Sequence, residues 1–188
     1  MSRWQPNARG RLEQAALELY TERGFDQTTV SEIAERAGLT ERTFFRYFAD
    51  KREVLFWGQG ALIELVTKHI ADAPDSASPI DAVGAALKAT GEFFRGRRAH
   101  ARRRQAVIAA NAGLQERELI KLASLAVAMS EGLGRRGVGE PAAKLTAETG
   151  VAVFKVAFDR WISATTDTDL AQVVGDSLDE LRGLTAST

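Results

Sequence analysis

The chain has 188 residues, 45% of them hydrophobic, and equal numbers of basic and acidic side chains give a formal net charge of zero. Without cysteine, disulfides, thiolate metal sites and cysteine nucleophiles are excluded; two histidines far apart in sequence, His69 and His100, make a histidine-built metal site unexpected. No apolar run approaches the ~18 residues of a membrane span, and Met1 to Pro6 lack the apolar core of a signal peptide, so a cytoplasmic protein without a membrane partner is expected.

The apolar periodicity is helical throughout, and no strand-like alternation is sustained. Leu12, Ala15, Ala16, Leu19 and Tyr20 form a stripe on a helix over 8–23, which Gly24 stops. Thr29-Val30-Ser31-Glu32 is a capping box opening a short helix from Val30 to Ala37. Gly38 breaks it, and Thr40 caps the next helix, Glu41 to Phe48. Asp50-Lys51-Arg52-Glu53 reads as a second capping box that starts a long helix reaching Ala71. After the proline- and serine-containing stretch 73–79, helices are expected over 80–96, 98–111, 114–134, 142–165 and 168–184.

Two short helices joined by a tight turn at glycine match a helix-turn-helix. Ala34 lies four residues before Gly38, where crossing helices leave room only for a small side chain. Ile33, Ala37, Leu39 and Phe44 can fill the shared core, leaving Thr40, Glu41, Arg42, Thr43 and Arg46 wholly or partly outside it. In this motif the second helix enters the major groove of double-stranded DNA. The charge that would support it is local: residues 1–56 carry nine basic and nine acidic side chains, but Gly38 to Arg52 carries four basic against two acidic.

Gly24-Phe25, Thr28-Thr29-Val30, Ile33-Ala34, Ala37-Gly38-Leu39 and Thr43-Phe44-Phe45-Arg46-Tyr47-Phe48, followed by Lys51, together resemble the TetR family of regulators. Phe45 stands where that family commonly has tyrosine, and Tyr47 where it commonly has histidine. The resemblance implies a homodimer, a palindromic operator, and release from DNA when a small ligand binds the C-terminal part. The fold expected is all-α: a homeodomain-like helix-turn-helix domain over 1–55 and a helical ligand-binding and dimerisation domain over 56–188. Expected DNA contacts are Thr28, Thr29, Thr40, Arg42, Thr43, Phe45, Arg46, Tyr47 and Lys51. Thr29 and Thr40 also serve as caps, Arg46 can reach toward Asp50, and Lys51 at a helix start opposes the macrodipole, which favours a phosphate partner.

Residues 60–188 carry no catalytic signature, and neither an enzyme nor a cofactor is expected. Val151, Phe154, Phe158, Trp161 and Ile162 make one apolar helix face, and Leu170, Val173, Val174, Leu178, Leu181 and Leu184 another. These two faces are expected to build the dimer interface or to pack within the monomer. Phe93, Phe94, Ile108, Leu122, Met129, Phe154, Phe158 and Trp161 are candidate lining of an apolar ligand pocket, or plain core. Arg95, Arg97, Arg98, Arg102, Arg103 and Arg104 surround His100, either as a solvated face or as an anion site. The stretch Arg103 to Arg117 resembles a TetR branch associated with fatty acyl-CoA, which would make Arg102, Arg103 and Arg104 phosphate partners. The alternative reading is a helical protein-interaction module whose helix-turn-helix no longer reads DNA.

Overall fold

The computed structural model describes residues 7–186, and the secondary structure among them is helical. The helices are α1 (Ala8–Arg23), α2 (Val30–Arg36), α3 (Glu41–Tyr47), α4 (Gln59–Asp72), α5 (Pro79–Phe94), α6 (Arg98–Ala109), α7 (Ala112–Arg135), α8 (Glu140–Ser163) and α9 (Leu170–Ala186), with a 3-10 turn at Glu53–Leu55. They divide into two compact units: residues 7–57 with 103–118, and residues 58–102 with 119–186.

The first unit holds α1 to α3, and its local chemistry explains each turn. Thr29 Oγ1 accepts from the Glu32 amide while Glu32 Oε2 accepts from the Thr29 amide, so the capping box is complete. Gly38 has φ 64°, a left-handed conformation that suits glycine. That turn lets the Leu39 amide reach back to the Ala34 carbonyl at 2.8 Å, and Ala34 is buried. Leu12, Leu19, Ile33, Phe44 and Phe48 form the core of the three helices.

Two expectations are corrected here. The helix expected over 50–71 is broken. Asp50 Oδ1 does cap the turn, accepting from the Arg52 and Glu53 amides. However, Val54, Leu55 and Phe56 are consecutive buried residues; no single helical face can bury three in a row, and Gly58 and Gly60 add little helix propensity. Residues 103–118 pack into the first unit, which therefore extends beyond 1–55. Val107, Ile108 and Leu114 are buried in its core. Arg104 Nε donates to the Leu55 carbonyl at 2.7 Å, Arg117 Nε to Glu53 at 2.7 Å, and Asn111 Nδ2 to Asp26 at 3.3 Å.

In the second unit α5 packs against α4, α8 and α9, and α8 against α9. Its core contains Val66, Ile70, Leu87, Met129, Leu133, Phe154, Trp161, Val174 and Leu178. The approach of α5 to α8 and α9 is close: a Cβ on Gly150 would fall 2.6 Å from Val83 Cγ1, and one on Gly84 2.8 Å from Leu178 Cδ1. The guanidinium of Arg136 closes the end of α4, donating to the carbonyls of Ile70, Ala73 and Pro74 at 2.6–3.2 Å.

Candidate functional site

The outer face of α3 is the centre of the site. Thr40, Glu41, Arg42, Phe45 and Arg46 are exposed, Thr43 and Tyr47 are half-buried, and Phe44 and Phe48 are buried. Thr40 Oγ1 accepts from the Thr43 amide at 3.2 Å and lies 3.1 Å from Thr43 Oγ1. Phe45 is 54% exposed, an unusual position for phenylalanine, and its ring meets Phe44 edge-on at 5.4 Å.

Arg46 does not turn toward Asp50. Its guanidinium lies 5.0 Å from the Tyr47 ring centroid and donates to the Tyr47 hydroxyl at 3.3 Å, while Asp50 pairs with Arg52. The guanidinium of Arg9, in the first turn of α1, stands 5.5 Å from the centroids of both Tyr47 and Trp57. Sequence reasoning missed Arg9 and Trp57. A signal for Arg9 existed, since a cation in the first turn of a helix opposes the macrodipole unless an outside anion uses it.

The zero net charge of this segment has a structural resolution. Glu22 and Glu18 pair with Arg36, Glu32 with Arg23, and Asp50 with Arg52. The hydrogen bond from Arg36 holds the Glu22 carboxyl below its usual range. Among the described residues no carboxylate pairs with Arg9, Arg42 or Arg46, while Glu18, Glu22, Glu32 and Asp50, four of the nine acidic side chains of residues 1–56, are held by other arginines. What remains around α3 is locally positive.

Two expected DNA contacts are turned inward. Thr28 is buried and its hydroxyl donates to the Gly24 carbonyl at 2.9 Å. Lys51 Nζ donates to the carbonyls of Phe25, Asp26 and Thr28, at 2.8, 3.3 and 2.8 Å, and sits 4.4 Å from the Phe25 ring centroid. It closes the loop between α1 and α2. Thr29 is exposed, with its hydroxyl bonded to Glu32.

Of the expected pocket residues, Phe94, Phe154, Phe158 and Trp161 come together in the second unit, with Phe94 5.3–6.4 Å from the other three rings. Phe93 meets Phe94 edge-on at 5.0 Å; Met129 is buried and Leu122 partly buried against the same core. Ile108 does not join them, because it belongs to the core of the first unit. The three arginines are likewise separated. Arg102 donates to the Ile162 and Ala164 carbonyls, Arg103 is exposed, and Arg104 pairs with Glu118 at 2.9 Å within the first unit. Trp161 and Leu178, on the faces offered for dimerisation, are buried in the monomer.

The comparisons with known proteins agree with this geometry. Residues 13–56 match the family described as bacterial regulatory proteins, tetR family, and residues 77–185 match the MftR C-terminal domain. MftR of Mycobacterium tuberculosis, a transcriptional regulator provisionally assigned to mycofactocin biosynthesis, is 29% identical over 180 residues, covering 90% of each chain. The regulator TcmR of Streptomyces glaucescens is 37% identical over 81 residues, which span 43% of this chain and 36% of TcmR. Among solved structures, FadR of Bacillus subtilis bound to stearoyl-CoA has TM-score 0.61 at 22% identity, covering 92% of this chain and 96% of that one. FadR of Thermus thermophilus bound to lauroyl-CoA has TM-score 0.55 at 24% identity, covering 93% of each. A helix-turn-helix with an outward arginine face, followed by a helical unit that matches the MftR C-terminal domain, makes this chain a DNA-binding transcriptional regulator of the tetR family.

Proposed function

We propose that the protein is a repressor: a cytoplasmic homodimer that holds a palindromic operator and releases it when a small apolar ligand binds the second unit. Operator contacts are assigned to Thr29, Thr40, Arg42, Thr43, Phe45, Arg46 and Tyr47, joined by Arg9. The observation that carries this reading is the set of arginines, Arg9, Arg42 and Arg46, that pair with no carboxylate among the described residues around an exposed helix. Arg42 is assigned to base edges, Phe45 to a thymine methyl, and Arg9, Arg46 and the Tyr47 hydroxyl to phosphates.

The ligand is assigned to the aromatic cluster of the second unit, where Phe93, Phe94 and Phe158 are only partly buried and Phe154, Trp161 and Met129 stand behind them. Leu122 is a further contact. No described helix is long and apolar enough to cross a membrane. The FadR structures hold lauroyl-CoA and stearoyl-CoA, and long-chain acyl-CoA is the first ligand class to test. The experiment selects bound duplexes from random DNA and then follows release of the best one by fluorescence anisotropy as acyl-CoA of increasing chain length is added. A palindromic consensus and chain-length-dependent release are expected. Binding without sequence preference overturns the operator reading, and a consensus that no acyl-CoA of any length releases overturns the acyl-CoA assignment.

A further inference from the structure

The second unit carries a surface pocket lined by Arg98, Arg102, Ile162, Ala164, the hydroxyl residues Ser163, Thr165 and Thr166, and Asp167. We propose that it binds an organic oxyanion, a carboxylate or a phosphate monoester carried on a small apolar body. This binding is independent of the aromatic cluster, and its failure would leave the repressor reading untouched.

Arg98 and Arg102 lie four residues apart on α6 and so project from one face. They meet the last turn of α8 and the linker to α9, where carbonyls are left over by the helix. Arg102 Nε donates to the Ile162 carbonyl at 2.6 Å and its Nη2 to Ala164 at 3.3 Å; Arg98 Nη1 donates to Thr166 at 2.5 Å. The linker is fixed further by Trp161 Nε1 donating to the Thr168 carbonyl at 3.0 Å and by the Thr166 and Thr168 hydroxyls, 2.9 Å apart. The rim is therefore preorganised, which lowers the cost of binding.

A guanidinium has five N–H donors, and these contacts leave most of the ten unspent. One stands out: Arg98 Nε is buried and has no hydrogen-bond partner among the described residues. A buried donor without an acceptor is uncommon and marks a place where an outside acceptor belongs. An oxyanion in the pocket would take the free arms of both arginines, in the charge-assisted geometry that suits carboxylate and phosphate. The exposed hydroxyls of Ser163 and Thr165 add donors. Ile162 and Ala164 give the apolar body a surface. Asp167 on the rim reduces the charge of the two guanidiniums, which favours a head of low negative charge over a polyanion.

The test is calorimetric titration of the full chain with benzoate, phenyl phosphate and neutral benzamide at constant ionic strength. Saturable binding of at least one of the two anions, one per chain, is expected, and benzamide is expected not to bind. Binding of benzoate alone identifies a carboxylate site, and binding of phenyl phosphate alone a phosphate site. Arg98→Gln should weaken binding at least tenfold. Asp167→Asn, which disturbs no hydrogen bond of the linker, should tighten it by about threefold to tenfold, with circular dichroism unchanged. No saturable binding of either anion, benzamide binding as well as benzoate, or affinity indifferent to both substitutions would overturn the proposal.

Discussion

The ammonium of Lys51 donates to the carbonyl oxygen of Thr28 at 2.8 Å, and the same ammonium also holds the carbonyls of Phe25 and Asp26. Three donors meet three acceptors, so the lysine acts as a clasp on the loop that presents Thr29 and starts α2. Hydrogen bonds to a charged donor contribute roughly 1.5–3 kcal/mol each when the acceptors would otherwise be unpaired, and this site is half exposed. Lys51→Ala is expected to lower stability by about 2 kcal/mol in urea denaturation. The salt dependence of operator binding should be unchanged. A variant of wild-type stability whose salt slope falls by about one unit would instead return Lys51 to a phosphate.

On the proposed interface, Arg42 and Arg9 would represent the two kinds of DNA contact. Arg42 extends from the exposed face of α3, and no carboxylate among the described residues pairs with it. Arg42→Ala should weaken the selected operator by about 1–3 kcal/mol and relax preference at one base position in each half-site. The Arg9 guanidinium lies 5.5 Å from the ring centroids of both Tyr47 and Trp57, and the proposal assigns it to the DNA backbone. Arg9→Ala should weaken all sequences alike and reduce the salt slope by about 0.9 per site. Identical sequence logos and salt slopes for wild type and both variants would count against the assigned interface.

Caps and periodicity made most helix positions legible. Thr29 and Thr40 cap α2 and α3 as their spacing implies, and Gly38 takes the positive φ that its place in the turn requires. What stayed hidden was the destination of each side chain. Ile108 is apolar and helical in the sequence, but periodicity says only which face is buried, not which of two cores buries it. In the sequence Lys51 reads as a phosphate contact, and Arg102 and Arg104 as a solvated face or an anion site. In the structure they satisfy carbonyls or a glutamate, because cations are drawn to leftover helix carbonyls as readily as to phosphates. The helix from Asp50 had its cap, but three consecutive buried residues outweighed it.

Glu32 gives the start of α2 a sensitivity to acid. Its carboxylate accepts from the Thr29 amide at 2.8 Å and from the Thr29 hydroxyl, and it pairs with Arg23. The Thr29 amide, then its hydroxyl, hold the Glu32 carboxyl below the usual glutamate range. A depressed folded value means that the contribution is fully present above the unfolded value near 4.5 and is lost as pH falls through the lower folded value. Carbon-13 titration of the Glu32 side chain should give a midpoint below that of an unstructured glutamate, with faster exchange of the Thr29 amide below it. A midpoint at or above the ordinary value would remove the box from the acid response.

The ion pair between Arg160 and Glu180, 2.6 Å long, marks the register of α8 against α9. The helices are antiparallel neighbours, so one turn back along α8 and one turn on along α9 brings Val156 level with Leu184. Both are outward, 47% and 74% exposed, and Leu145 and Ala152 continue the strip along α8. An apolar strip of this kind, with a small residue in its middle, fits a two-fold contact in which the same pair of helices meets its copy. Charging this strip should break the dimer without unfolding the chain, because none of these side chains supports the monomer core. Val156→Glu combined with Leu184→Glu is expected to sediment as a monomer at micromolar concentration with native helical content. Its affinity for the full operator should fall at least a hundredfold, since two linked half-site contacts become separate ones. Val127→Glu, on the exposed face of α7, serves as the control and should leave the dimer intact. If the double variant stays dimeric while Val127→Glu dissociates, the interface lies on α7 and the α8–α9 assignment fails.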